Sequence, residues 1–236
     1  MRFHLPWVEA RFESRPNRFV ALVEVEGELH KAHVPGTGRM RELLVPGARC
    51  LLTAHPEPSR KTPYELRLVE YGGKLVSVDS QLPNTLVAEA LAGGLFPGYP
   101  GMENLKREYK WGDSRLDLAF ESQGQPVLME VKGVTLALDG WCYFPDAPTT
   151  RGTRHLEELI RAAGEGYRTA VAFVLQNPHG HGFSPHRKRD PRFAGALIRA
   201  AAAGVEVFAL RTEITTEEIR CTGFLPVRLE EGPEYE

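Results

Sequence analysis

Two short stretches hold the residues best able to do chemistry. In RLDLAF (115–120), strand alternation sets Leu116, Leu118 and Phe120 on one face and Arg115, Asp117 and Ala119 on the other. VLMEVK (127–132) alternates likewise, with Leu128, Glu130 and Lys132 opposite Val127, Met129 and Val131. If the two strands pair, Asp117 meets Glu130 and Lys132, giving two hard oxygen ligands with an ammonium beside them. Such a set can hold Mg²⁺ or Mn²⁺ through carboxylates and waters. The ion would lower the pKa of a bound water, offset phosphate charge and orient the nucleophile, while Lys132 positions that water or neutralises developing charge. This is the chemistry of phosphodiester hydrolysis. A Glu-x-Lys pair is weak evidence by itself, because the chain holds a second, Glu108-Tyr109-Lys110, and such a pair on a strand is ordinarily a solvated face. What distinguishes Glu130 and Lys132 is the strand context on both sides and Asp117 thirteen residues upstream.

The elements that must position these residues can be read in outline. Residues 18–25 and 29–34 flank Glu26-Gly27-Glu28 as a β-hairpin. Strands are expected at 48–54, 64–70 and 74–78, with a short helix over Thr37 to Leu44. Five short strands and one helix suggest a small β-barrel of the oligonucleotide-binding (OB) type. From Asn84, taken as an N-cap, the run TLVAEALA stopped by Gly93-Gly94 predicts a helix that opens a second domain. Strands at 104–110, 114–120 and 126–132 follow, then a proline-punctuated loop and an amphipathic helix from Thr153 to Ala163. A strand at 168–175, a loop rich in His and Arg, a helix at 191–203 and a strand at 205–210 complete the pattern.

Composition narrows the field. The 236 residues are 42% hydrophobic and 25% charged, which excludes disordered and fibrous classes. Net charge is −2, but four of the acids are Glu residues among the last eight positions, so a polyanionic partner is neither required nor forbidden. Cys50, Cys142 and Cys221 are odd in number and far apart, which suggests buried thiols in a reducing cytoplasm rather than disulfides or a zinc knuckle. No run of 18 apolar residues occurs, so a membrane span is not expected.

Basic residues form two groups. Arg187, Lys188 and Arg189, with Arg192 and three nearby histidines, make an exposed loop suited to phosphates rather than base edges. The histidine spacings match no zinc pattern. Arg15, Arg18, Lys31, Arg39 and Arg41 make the second group, on the expected barrel, where Phe19 and Trp7 are of a type that stacks on bases but fit core packing better. Arg151, His155 and Glu158 share a polar helix face if the helix extends back through Thr150, and Arg151 and His155 are candidates to reach the site and DNA.

Longer strings add a family resemblance. Arg115 to Leu118, EVKGVTL (130–136) and YFPDAPTTRGTRHLEEL (143–159) resemble the sugar fermentation stimulation protein A family of bacteria and archaea. RFVALVEV and HVPGTGRM resemble that family's N-terminal part, so the resemblance spans most of the chain. It implies an OB-like domain joined to a domain of the PD-(D/E)XK nuclease superfamily, with DNA binding as the ascribed activity and regulation of sugar use in some members. The nuclease signature then falls on Asp117, Glu130 and Lys132, with Glu108 a further acidic member. Two departures stand out. The stretch reading P-N-T-G in relatives is Pro35-Gly36-Thr37-Gly38 here, and the superfamily's helical acidic residue has no secure match, although Glu89 lies in the right helix.

The resulting expectation is an α/β protein with a small OB-like β-barrel over 1–81, followed by a nuclease-like α/β domain with a mixed central sheet over 82–236. It would be a cytoplasmic DNA-binding protein, sequence-nonspecific, with homo-oligomers allowed. Asp117 and Glu130 would bind Mg²⁺ or Mn²⁺, with Lys132 and Glu108 completing the catalytic set. Two functions fit: a Mg²⁺-dependent DNA endonuclease, or a non-catalytic DNA-binding regulator of sugar metabolism that retains the fold.

Overall fold

A computed structural model describes all residues except 4, 5, 37, 56, 58–60 and 231–236. The N-terminal part contains strands β1 (Trp7–Asn17), β2 (Val20–Val25), β3 (Glu28–His33), β4 (Arg49–Ala54), β5 (Tyr64–Tyr71) and β6 (Lys74–Ser77). The hairpin between β2 and β3 turns on Glu26 and Gly27, both at positive φ, the geometry that keeps the strands' right-handed twist. The sheet order is β3-β2-β1-β4-β5-β6, and a parallel pairing of β3 with β5 closes the first five strands into an OB-type barrel. Strand β1 is an addition to the expected set. Its Ala10 and Phe12 face the barrel core while Glu9, Arg11 and Glu13 face water.

The helix expected over Thr37 to Leu44 does not form across the described part of that stretch; Thr37 itself lies outside the described residues. Met40 adopts a left-handed φ of 48°, which breaks a right-handed helix at that point. What remains is one turn, in which the Leu43 and Leu44 amides donate to the Met40 carbonyl. Met40, Leu43 and Leu44 then pack into the barrel core.

The second part begins with helix α1 (Leu82–Ala92) and strands β7 (Glu103–Trp111), β8 (Ser114–Ser122) and β9 (Gln125–Val134). The proline-punctuated stretch expected as loop carries a hairpin, β10 (Leu136–Leu138) and β11 (Trp141–Phe144). Helix α2 (Thr150–Gly164), β12 (Arg168–Leu175), β13 (Phe183–Pro185), α3 (Pro191–Ala202), β14 (Glu206–Ile214) and β15 (Ile219–Phe224) follow. The central sheet runs β15-β14-β12-β9-β8-β7. It is mixed, because β9, β12 and β14 are parallel neighbours while the pairings at both edges are antiparallel.

Apolar layers cover both faces of this sheet. Val171, Phe173 and Leu175 of β12 pack with α2 and α3, and Ala170, Ala172 and Val174 pack with α1. This fully buried run is what a central parallel strand requires. The starts of α2 and α3 are tied together by Asp190, which caps α3 by accepting the Phe193 amide and also accepts the Thr149 amide. The barrel is fastened to the second domain through Gln176, whose amide donates to Ser77 Oγ and the Asp79 carbonyl, and through His179, whose Nε2 lies 2.8 Å from the Tyr71 carbonyl. Arg2 bridges to Glu218 and Phe3 donates to the Glu217 carbonyl, so the first residues lie against the second domain.

Candidate active site

Strand β9 carries the centre of the site because it is flanked by β8 on one side and β12 on the other. The β8–β9 ladder reaches Leu118 opposite Met129, which makes Asp117 and Glu130 the next pair in register. At that step the ladder changes. The Asp117 carboxylate accepts the Val131 backbone N–H at 2.8 Å through Oδ2. Its Oδ1 accepts from Asn84 Nδ2 at 2.9 Å. Strict alternation therefore fails here: Leu116 joins the α2/α3 core, whereas Leu118 and Phe120 join the α1 core, and the three do not share one face as expected.

Glu130 is 1% exposed and points toward α2. Two groups converge on its Oε1: Lys132 Nζ and His155 Nδ1. Arg151 Nε donates to His155 Nε2 at 3.3 Å, so that nitrogen is the acceptor and the proton sits on Nδ1, facing Glu130. The consequence is an asymmetric carboxylate. Oε1 is doubly engaged, and Oε2 is buried without a hydrogen-bond partner. A buried oxygen of that kind is costly unless something takes it up.

The charges respond to these surroundings. Burial, reinforced by the nearby Glu130 charge, pushes the Asp117 carboxyl up to about 6, although Lys132, the Val131 amide and Asn84 pull the other way. Burial also pushes on Glu130, but Lys132 and His155 outweigh it and hold that carboxyl below its ordinary value. The two acids thus differ, one firmly ionised and one near the edge of ionisation at neutral pH.

A cavity of about 410 Å³ opens over this pair, walled also by Ser80, Asn84, Arg107, Glu108, Lys132 and Arg151. Glu108 stands across from Asp117, between the pairs Arg107–Leu118 and Tyr109–Leu116, at a φ of 50°. Among the described residues no three His, Cys, Asp or Glu side chains gather into a metal cluster. The donor set is two carboxylates, one with a bare buried oxygen, and that suits a hard dication that keeps several waters.

Asn84 is a site residue that the sequence reading misplaced as an N-cap. Pro83 sits in the first helical turn and the N-cap is Gln81, so Asn84 lies inside α1 with its side chain free to hold Asp117. Proline at the start of the run was the available signal. Glu89 lies away from the site, bonded to the N-terminal amine of Met1 at 2.8 Å.

The candidate DNA contacts separate into two kinds. Arg18, Lys31, Arg39, Arg41, Lys188 and Arg151 are exposed. Arg15 instead donates to the carbonyls of Arg18, Gly36, Gly38 and Arg39, Arg187 to that of Leu229, and Arg189 to that of Asp146. His155 is 2% exposed with both ring nitrogens engaged, so it belongs to the inside of the site rather than to an outer surface.

A closed OB-type barrel joined to an α/β domain with a mixed central sheet, which carries an Asp-Glu-Lys set on adjacent strands, defines the class of protein. Residues 14–78 match the SfsA N-terminal OB domain and residues 81–218 the sugar fermentation stimulation protein RE domain. The chain belongs to the SfsA, or sugar fermentation stimulation protein, family. It is 43% identical over 222 residues to the sugar fermentation stimulation protein homolog of Desulforamulus reducens, covering 94% of this chain and 92% of that one. It is 42% identical over 225 residues to the homolog of Methanobrevibacter smithii, covering 91% and 94%. It superposes on the solved structure of Pyrococcus furiosus SfsA in complex with Ca²⁺ with a TM-score of 0.88 at 33% identity, covering 97% and 98% of the two chains. Among the described residues no helix is long and apolar enough to cross a membrane.

Proposed function

We propose that the protein is a cytoplasmic, divalent-metal-dependent nuclease that hydrolyses phosphodiesters of DNA. The observation that carries this reading is the bare Oε2 of Glu130 beside Asp117, with Lys132 in the wall of the same cavity. Asp117 and Glu130 would hold Mg²⁺ or Mn²⁺; the ion, when bound, would supply a water of lowered pKa and offset phosphate charge. The Ca²⁺ complex of the Pyrococcus furiosus relative supports a hard, oxygen-seeking dication in this family.

The chain's own groups do the rest. Lys132 and His155 lock the Glu130 carboxylate by engaging one oxygen, with Arg151 holding His155 from behind, so the other oxygen is left for an ion. Asn84 and the Val131 amide fix Asp117 by donating to one carboxylate oxygen each, which leaves each oxygen its second lone pair. Lys132 holds a proton-bearing ammonium two residues from Glu130, where it can orient the attacking water or the phosphate. Arg107 and Arg151 line the cavity wall, where a DNA strand's phosphates would pass. Contacts of this type grip backbone without reading sequence.

A second reading, a DNA-binding regulator of sugar metabolism that binds metal without turnover, draws on the lack of a third acidic ligand among the described residues. One assay separates the two. Duplex, nicked, mismatched and single-stranded DNA are incubated with Mg²⁺, Mn²⁺ or EDTA. Metal-dependent cleavage of any of them that disappears in EDTA establishes the nuclease; binding with no cleavage of any leaves the regulator.

A further inference from the structure

A second cavity, of about 400 Å³, lies between the barrel and the α/β domain and shares Ser80, Val131 and Lys132 with the cavity over the acids. Hydrolysis uses none of its remaining wall. That wall is nevertheless made largely from three of the long strings singled out above, Gly133 to Leu136 of EVKGVTL among them. Gly36, Gly38 and Met40 of HVPGTGRM form one side, and Tyr143 to Thr149 of YFPDAPTT form the other.

Both sides are tied to each other at a fixed distance. Arg15 uses its guanidinium to hold four carbonyls of the barrel, those of Arg18 (2.6 Å), Gly36 (2.9 Å), Gly38 (2.7 Å) and Arg39 (3.0 Å). Asp146 reaches across and accepts the backbone amides of Arg39 and Met40, while its own carbonyl accepts from Arg189 at 3.0 Å. A Cβ on Gly38 would come within 2.8 Å of that Asp146 carboxylate, so the close approach requires glycine. Three charged side chains and two glycines therefore brace a space rather than fill it. Its volume is that of a small-ligand cleft. Tyr143 and Phe144 supply aromatic wall, Arg18 a cation, and Lys132 a cation at the junction with the acids.

From this we infer that the interdomain cavity receives a single nucleobase, extruded from the DNA strand whose phosphate lies at Lys132. The inference rests on the nuclease reading and adds the substrate class: DNA with an unpaired or easily unpaired nucleotide. A strand crossing from one cavity to the other passes Lys132, so a base turned out of the stack next to that phosphate enters the braced space. Stacking on an aromatic side chain tolerates every base, so the pocket selects unpaired nucleotides, not a sequence. Taking a base out of a paired stack costs a few kcal/mol and costs least where it is already unpaired, which is the source of selectivity.

The test measures anisotropy of labelled DNA in EDTA, so that no strand is cut. One duplex is fully paired, and its counterpart carries a single bulged nucleotide. The wild type should bind the bulged duplex on the order of tenfold more tightly, an amount in keeping with stacking of one base. Ala147→Trp fills the cavity and should bring the ratio to about one; Tyr143→Ala, which opens space instead, should lower it too, with thermal melting confirming that each variant is folded. Equal affinities in the wild type, or a ratio retained in both variants, would overturn the inference while leaving metal-dependent cleavage standing. Free dAMP competing at the same concentration as bulged DNA would assign the cavity to a free nucleotide and also overturn it. Binding of neither duplex removes the DNA reading, and this inference falls with it.

Discussion

The chain contains the same tripeptide pattern on two strands, and the fold treats them differently. Glu130-Val131-Lys132 lies on β9, in the middle of the sheet, where Glu130 is 1% exposed and takes contacts from Lys132 and His155. Glu108-Tyr109-Lys110 lies on β7, the edge strand, where Glu108 and Lys110 are exposed. The difference is one of neighbours. A central strand brings groups from both flanking strands and from a covering helix to one carboxylate, whereas an edge strand offers one flank and water. Desolvation is what makes a charged pair act on a substrate rather than on solvent.

The largest expected effect breaks the comparison at its lysines. Lys132→Ala should lower DNA cleavage by roughly 10²- to 10⁴-fold, the usual range for losing an electrostatic or proton-handling group. Lys110→Ala should change it less than about twofold, since an exposed edge charge contributes little. Single-turnover rates on one cleavable substrate measure both. Equal losses would mean that the edge pair also touches the reaction.

Next in size is the response to metal. A dication that binds only the folded chain stabilises it by about 2.7 kcal/mol at a hundred times its dissociation constant. For a chain of this length that raises Tm by about 5–10 °C. Mg²⁺ titration followed by melting should show this rise in the wild type and in Lys110→Ala, and Asp117→Asn or Glu130→Gln should abolish most of it. A rise retained in both acid variants would move the ion elsewhere.

How much of this was readable beforehand depends on how local each feature is. Strand β12 was legible because RTAVAFVL is an apolar run bounded by polar residues, and Asp117, Glu130 and Lys132 were legible because each pattern lies within six residues. Strand β1 carries a period-2 pattern, Val8, Ala10 and Phe12 against Glu9, Arg11 and Glu13, but charges at every second position and a small Ala in the middle keep its apolar signal low. The break in alternation at Asp117 has no sequence signal, since it arises only when that carboxylate takes the Val131 amide from the neighbouring strand. Arg15 reads as a phosphate contact until the fold delivers four carbonyls to it. His155 reads as one of two residues on a polar helix face able to reach the site, and only the packing of α2 shows that it is the one that meets Glu130. Contacts between elements distant in sequence, rather than within them, are what composition and period leave out.

A smaller effect is expected from pH in the absence of metal. The Asp117 carboxyl titrates near 6 in the folded protein, above the ordinary value that it has when unfolded. Over that window the folded state binds more protons than the unfolded one, so stability falls as pH rises. The contribution is fully present below about pH 4 and is lost as pH climbs through 6. Two units correspond to nearly 3 kcal/mol, which partial exposure of the carboxyl reduces to about 2 kcal/mol. Denaturation in EDTA at pH 4, 5, 6 and 7 should show this decline in the wild type minus Asp117→Asn. A difference that grows with pH would mean that the folded site favours the charged acid instead.

The smallest effect concerns Glu108, where the edge strand is least ordinary. Its φ of 50° is left-handed, a conformation that costs a side-chain-bearing residue about 1 kcal/mol more than glycine, and it occurs within β7 directly across from Asp117. Such strain tends to persist where the local geometry serves a site. The carboxylate lines the cavity over Asp117 and Glu130, so an acid of the exposed edge strand belongs to the wall of the proposed metal site. Glu108→Gly should therefore raise stability by about 1 kcal/mol, partly offset by glycine's freedom in the unfolded chain, while Glu108→Gln should leave stability within about 0.5 kcal/mol. Both should slow cleavage by the same factor, because both remove the carboxylate. If Glu108→Gly destabilises the protein, the backbone is not strained there, and if neither variant slows cleavage, the acid belongs to the solvated edge with Lys110 and the catalytic set is Asp117, Glu130 and Lys132 alone.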